Sequence, residues 1–132
     1  EQFLDDTMAK YGLEESKTVL IGFSQGTMMA LHVGLRRAKP LAGIVGFSGM
    51  LAAPDALEQE IKSKPPVLLV HGDSDEMLPA VLTQRAAQTL HETGVEVGVH
   101  IAKGVGHGID QTGLSHCARF VLDAFNIPVP KQ

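Results

Sequence analysis

Ser24 stands in Gly22-Phe23-Ser24-Gln25-Gly26, with the apolar run Val19-Leu20-Ile21 before it and the helix-compatible run Thr27-Met28-Met29-Ala30 after it. A serine on a sharp strand-to-helix turn has its hydroxyl lifted clear of the backbone, where it can act as a nucleophile. The backbone of Ser24 must be strained there. Gly22 and Gly26, two residues to either side, carry no Cβ and let strand and helix approach. A serine nucleophile needs a base, and the base needs an acid to orient it. Two later segments offer both. Pro66 to Val70 leads into His71-Gly72-Asp73-Ser74-Asp75-Glu76-Met77-Leu78-Pro79, and Val95 to Ala102 leads into Gly104-Val105-Gly106-His107-Gly108-Ile109-Asp110. Each candidate follows the end of its own strand. In a parallel sheet those ends share one edge, so Ser24, an aspartate and His107 can converge for acyl transfer. The spacing leaves Asp73 and Asp75 both open as the acid. The competing reading of the serine motif is a glycine-rich turn that only packs a helix on a sheet.

The elements that must position these residues alternate along the chain. The pattern predicts a helix over Gln2 to Tyr11, with Phe3, Leu4, Met8 and Tyr11 on one face and Gly12 as its stop. A strand over Thr18 to Gly22 follows, then a helix from Gln25 to Arg37. Arg36, Arg37 and Lys39 sit at the end of that helix, where positive charge offsets the dipole, and Pro40 stops it. Leu41 to Phe47 reads as a short buried strand, and Ala52 to Lys64 as irregular with a helical turn near Asp55 to Ile61. The remaining elements are a strand at Pro66 to Val70, a helix from Pro79 to Thr93 and a strand at Val95 to Ala102. A last helix runs from Asp110 to Phe125, with Leu114, Cys117, Val121 and Ala124 inward. Apolar strands alternating with helices imply a parallel sheet covered on both faces.

With those motifs in place the chain resembles the carboxylesterase/phospholipase branch of the α/β-hydrolases, which includes bacterial carboxylesterases and the acyl-protein thioesterases. Gly22-Phe-Ser24-Gln-Gly26, Phe47-Ser48-Gly49, His71-Gly-x-x-Asp75-x-x-x-Pro79 and Gly106-His107-Gly108 carry the likeness, which spans essentially the whole chain. The resemblance implies the fold class: α/β, the C-terminal part of an α/β-hydrolase, with about four parallel strands and helices on both faces. It implies a triad in the chain order Ser24, Asp75, His107, with Asp75 rather than Asp73 as the acid. Asp73 then reads as a turn or capping residue. The backbone N–H of Gln25, next to the nucleophile, is one oxyanion donor.

The family's fold has about eight strands, and this chain begins one helix before the fifth. The expectation is therefore a single incomplete domain over residues 1–132, lacking the earlier strands and the loop that donates the second oxyanion N–H. The elbow strand then has an open edge, a pairing hazard that calls for the missing N-terminal portion, a companion fragment or a homodimer mate.

Composition narrows the classes further. At 132 residues and 44% apolar content the chain is one domain's worth with ample core material. A net charge of −4 without a basic stripe argues against nucleic acid. One cysteine, Cys117, excludes an internal disulfide framework and fits a reducing, cytoplasmic compartment; its place on an apolar helical stripe gives it a core role. No run is long enough for a membrane span. His32, His91, His100 and His116 have no metal-site spacing, His71 reads as a packing or hydrogen-bonding residue, and no cofactor is implied. Ser48 and Ser74 follow strands without the elbow context. Met28 and Met29 read as core, whereas Met50 and Met77 lie in loops at the active edge and are candidate pocket residues. The function expected is a serine carboxylester hydrolase acting on small-molecule acyl esters, with thioesters and lysophospholipids in the same class. The alternatives are another triad acyl-transfer enzyme, a peptidase or perhydrolase, and a non-catalytic pairing module.

Overall fold

The computed structural model describes residues 2–12, 14–51, 57 and 59–125. Among them lie α1 (Gln2–Tyr11), β1 (Val19–Phe23), α2 (Gln25–Leu35), β2 (Gly43–Phe47), β3 (Val67–Gly72), α3 (Ala80–Glu92), β4 (Val97–Ala102) and α4 (Gln111–Ala124). A 3-10 turn at Glu15–Lys17, not legible in the sequence, leads into β1. Strand and helix ends fall within one or two residues of the expected ones. Of the helical turn expected at Asp55 to Ile61, residues 55, 56 and 58 lie outside the described residues. Leu57, Gln59 and Glu60 are helical, and the Ile61 N–H donates to the Leu57 carbonyl at 2.8 Å.

The four strands form one parallel sheet in the order β1-β2-β3-β4. The register pairs Phe23 with Phe47, Phe47 with Val70, and Gly72 with Ala102. All four C-terminal ends therefore lie at one edge, where Ser24, Ser48, Asp73 and Lys103 leave the sheet. Alternation of side chains across the strands divides the core in two. On one face Ile44, Val67 and Leu69 meet Ala30, Leu31 and Leu35 of α2 and Ala86 and Leu90 of α3. On the other, Val45, Phe47, Leu68 and Val70 meet Cys117, Phe120 and Val121 of α4. Helices thus cover both faces, as a parallel sheet requires.

Four expectations change on packing. Leu114 is exposed, and the inward stripe of α4 runs through Gly113, Cys117, Phe120 and Val121. The helix lies so close to the sheet that a Cβ on Gly113 would stand 3.1 Å from Val70 Cγ1; this rotates Leu114, one residue on, out to solvent. On α1, Met8 is buried but Tyr11 is exposed, with the Lys10 ammonium 5.4 Å from its ring centroid; the side chain of Phe3 lies outside the described residues. Met29 is exposed and Met28 half-buried, because they border a shallow groove with Gln25 and His32 instead of the sheet core. Gly26 is not at a close approach: a Cβ there would meet nothing within 4 Å.

The basic residues at the end of α2 are anchored locally. Arg36 Nη1 donates to the His32 carbonyl at 3.2 Å and its Nε pairs with Glu60 at 2.8 Å. The largely buried Arg37 pairs with Asp5 at 2.9 Å and contacts Met8 Sδ, tying α1 to α2. Among the described residues no helix is long and apolar enough to cross a membrane.

Leu31 is fully buried in the α2–sheet core, so Leu31→Ala should destabilise by about 2–5 kcal/mol, while Met29→Ala should stay within about 0.5 kcal/mol of the parent. Urea titration of both variants checks this; equal losses would contradict the assigned face of α2.

Candidate active site

Ser24 occupies the position before α2 with φ 55° and ψ −113°, a conformation that costs a non-glycine residue of order 1–3 kcal/mol. The turn is held from both sides. The Ser24 N–H donates to the Phe47 carbonyl at 2.8 Å, and the Ser24 carbonyl accepts from the Thr27 N–H at 3.1 Å. The buried Thr27 hydroxyl donates to the same Phe47 carbonyl at 2.8 Å. Gly22 is required: a Cβ there would lie 2.4 Å from the Gly26 carbonyl carbon and oxygen. Gly46 and Gly49 are equally close to Thr27, at 2.5 Å from its side chain, so α2 and the end of β2 clamp the turn. Gln25 is the first residue of α2, and its N–H belongs to the first-turn donors that lack an intrahelical partner.

Asp75 is buried, and both its oxygens are engaged. Oδ1 accepts from the N–H groups of Met77 and Leu78, each at 2.9 Å. Oδ2 lies 2.6 Å from His107 Nδ1 and 3.3 Å from His71 Nε2. Burial opposes ionisation of this carboxyl. The Leu78 N–H, the His107 ring and the Met77 N–H together outweigh burial and hold it below its ordinary value of 3.8. An ionised Asp75 only accepts, so the proton on His107 is on Nδ1. Its Nε2 is then free to accept from the Ser24 hydroxyl, 3.0 Å away. Phe23 packs against the imidazole with ring centroids 5.0 Å apart. The structure thus brings Ser24, Asp75 and His107 into one hydrogen-bonded series.

The path of His107 to Ser24 is indirect. β4 lies three strands from β1, roughly 14 Å away, so the loop after β4 must run back over the ends of β3 and β2. It crosses β3 at Gly72, where a Cβ would stand 2.1 Å from the Val105 carbonyl oxygen. Above the end of β2 it meets Ser48, a buried residue with φ 50° whose hydroxyl lies 3.4 Å from the Gly108 carbonyl. Ser48 is therefore strained like Ser24 although its local sequence carries no elbow.

His71 is fully buried between the acid loop and α3. Its Nε2 faces the Leu78 carbonyl at 2.7 Å and therefore donates, and its Nδ1 meets the Thr83 hydroxyl at 2.7 Å. Thr83 Oγ1 also lies 3.1 Å from the Gly49 carbonyl. Neither Thr27 nor Thr83 carries a signal in sequence, since a helical threonine ordinarily reads as neutral.

Of the two pocket candidates, Met50 borders a cavity of about 180 Å³ with Leu51, Leu82, Arg85, Ala86 and Thr89. Met77 does not line that cavity; it is 73% exposed, and its backbone N–H serves Asp75. His100 and His116 stack with ring centroids 4.2 Å apart, and His32 lines a shallow groove with Gln25, Met28 and Met29. Among the described residues no cluster of three or more His, Cys, Asp or Glu side chains is placed to hold a metal.

A family model described as phospholipase/carboxylesterase matches residues 1–124. Acyl-protein thioesterase 1 of Emericella nidulans is 30% identical over 116 residues, covering 83% of this chain and 48% of that protein. Esterase YpfH of Escherichia coli is 29% identical over 122 residues, covering 92% and 49% respectively. The crystal structure of esterase PE8 superposes with a TM-score of 0.91 at 46% identity, over 93% of this chain and 57% of that one. The chain spans about half the length of the curated relatives it matches.

Two outcomes are expected. Gly72→Ala should destabilise by about 1–3 kcal/mol and displace the loop bearing His107, whereas Gly26→Ala should leave the turn intact; urea titration and crystal structures of both variants decide it. The depressed carboxyl of Asp75 contributes stability above the unfolded carboxylate value, and that stability is lost as pH falls through the folded value. The Tm difference between the parent and Asp75→Asn should therefore be full above about pH 5 and narrow below about pH 4. A difference that stays constant down to pH 3 would contradict the assignment.

Proposed function

Since the chain belongs to the phospholipase/carboxylesterase family, we propose that it carries the nucleophile, acid and base of a serine carboxylester hydrolase acting on acyl esters, with thioesters and lysophospholipids in the same substrate class. The observation that supports this reading is the pair of contacts made by one imidazole: 2.6 Å from Nδ1 to Asp75 and 3.0 Å from Nε2 to Ser24. His107 removes the Ser24 proton as the oxygen attacks the ester carbonyl. Asp75 holds the ring in the Nδ1–H tautomer and stabilises the imidazolium that forms. The negative oxygen of the tetrahedral intermediate is received by the Gln25 N–H at the start of α2, where the helix dipole favours negative charge. His107 returns the proton to the departing alcohol or thiol, then activates water to release the acid from Ser24. This chemistry requires no metal or organic cofactor.

The proposal extends to the open edge of the sheet. Among the described residues β1 borders only β2, and its Ile21 and Phe23 are 58% and 41% exposed. We propose that a strand from outside these residues, in a missing N-terminal portion, a companion fragment or a second copy, pairs along β1. The same segment would supply the second oxyanion N–H, which in this fold comes from a loop after an earlier strand. With the Gln25 N–H alone, turnover should be lower by on the order of 10²–10³. The Met50 cavity, one residue beyond the Gly49 that touches the turn, is the proposed wall for the acyl group, with Met77 exposed at the same edge.

Labelling with a fluorophosphonate, followed by peptide mapping, tests the reading directly. One adduct on Ser24 is expected, and none in Ser24→Ala or His107→Ala. Asp75→Asn should fall on the order of 10⁴ in p-nitrophenyl ester turnover. Labelling that persists in Ser24→Ala refutes the nucleophile. Faster cleavage of peptide anilides than of p-nitrophenyl esters favours the peptidase alternative, and an inert Ser24 with the sheet completed favours a pairing module.

A further inference from the structure

The loop after β3 carries two aspartates, and the chemistry proposed above uses one. Asp73 is exposed and lies outside the Ser24–His107–Asp75 series, yet its carboxylate is engaged. The Gly104 N–H donates to Asp73 Oδ1 at 2.7 Å, and the Ser74 hydroxyl lies 3.2 Å from the same oxygen. Two backbone bonds join the same loops: Asp73 N–H to the Ala102 carbonyl at 3.0 Å, and Ser74 N–H to the Val105 carbonyl at 2.9 Å. Past Val105 the loop is held chiefly by the His107 ring itself, through Asp75 and Ser24, and its backbone has few described anchors. Gly108 N–H donates to Gly106 within the loop itself, and the Ser48 hydroxyl reaches Gly108 only at 3.4 Å. Gly104 has φ +72° and open space where a Cβ would be, so its own packing does not hold the turn.

We propose that Asp73 is a positioning residue: its carboxylate, by accepting the Gly104 N–H, sets where the loop after β4 begins its crossing and so holds His107 in register with Asp75. The bond from a backbone N–H to a carboxylate is charge-assisted and stronger than a neutral one. Apart from the His107–Asp75 pair itself, it is the one side-chain bond between these loops among the described residues, and a substitution can remove it. His107 lies three residues beyond Gly104, and a catalytic constellation tolerates only about 0.5 Å of misplacement. A shift of the loop's starting point is therefore felt at the imidazole. Because Asp73 is exposed, replacing it opens no cavity.

The inference rests on the reading of Ser24, Asp75 and His107 given above, and its test separates the two. The ring nitrogens of His107 are observed by nitrogen-15 NMR in the parent, Asp73→Ala and Asp73→Asn. Free neutral imidazole prefers the Nε2–H tautomer, so a ring held as Nδ1–H is a signature of pairing with Asp75. The parent and Asp73→Asn should show the Nδ1–H form, because the asparagine carbonyl still accepts from Gly104. Asp73→Ala should show a mixture and faster exchange of the Gly104 amide. Loss of charge is common to both variants, so their difference isolates the hydrogen bond. Fluorophosphonate labelling of Ser24 should slow by about tenfold or more in Asp73→Ala and stay within about twofold in Asp73→Asn. An Nδ1–H ring in Asp73→Ala, an Asp73→Asn ring as disordered as that of Asp73→Ala, or a mixed parent ring overturns the proposal. A parent with the Nδ1–H ring and an unreactive Ser24, together with the expected tautomer difference, refutes the hydrolase reading and leaves the positioning role standing.

Discussion

The loop from β4 to His107 has to lie across the end of β3, and the site depends on how closely it can do so. The candidate base comes from one edge of the described sheet and the nucleophile from the other. Only Gly72, which presents bare backbone to the Val105 carbonyl, allows the crossing at this height. A side chain at that position would lift the loop and take the imidazole away from both partners. The backbone bonds from Asp73 and Ser74 then fasten the loop to the strand it crosses, so the acid loop and the histidine loop behave as one unit.

Around that unit the polar groups are arranged to favour charge in a buried place. A carboxylate shielded from water is ordinarily driven toward its neutral form. Asp75 resists this because two backbone N–H groups face one oxygen and an imidazole faces the other. The Asp75 turn is itself braced from below, where His71 grips the Leu78 carbonyl and Thr83 spans His71 and Gly49. Gly49 in turn lies against the Ser24 turn. The supports of acid and nucleophile therefore meet under the site, and strain at Ser24 and Ser48 is held by the same packed layer.

Among the described residues the sheet is covered on both faces and open along β1. α2 and α3 cover one side and α4 the other, but among the described residues β1 has β2 as its one neighbour, with Ile21 and Phe23 exposed. The nucleophile stands at the end of that strand. A strand paired along β1, as proposed, would therefore also border Ser24.

Much of this was legible from residue order. Gly22 to Gly26 between an apolar run and a helical run determined a strand-turn-helix with a strained serine. The alternation of apolar runs and helices determined a parallel α/β sheet, because only buried strands read that way. Resemblance carried the choice of Asp75, which spacing left open. Tertiary structure alone decided the rest. Which face of α4 is inward depended on a helix–sheet distance that only Gly113 permits, so Leu114 turned outward. Gly22 and Gly26 look equivalent in the motif, yet one is pressed against backbone and the other faces open space. The engagement of Asp73 with Gly104, thirty-one residues away, left no trace in either local sequence. Local propensity and periodicity report on a residue and its near neighbours; contacts between loops from different strands exist only once the strands are side by side.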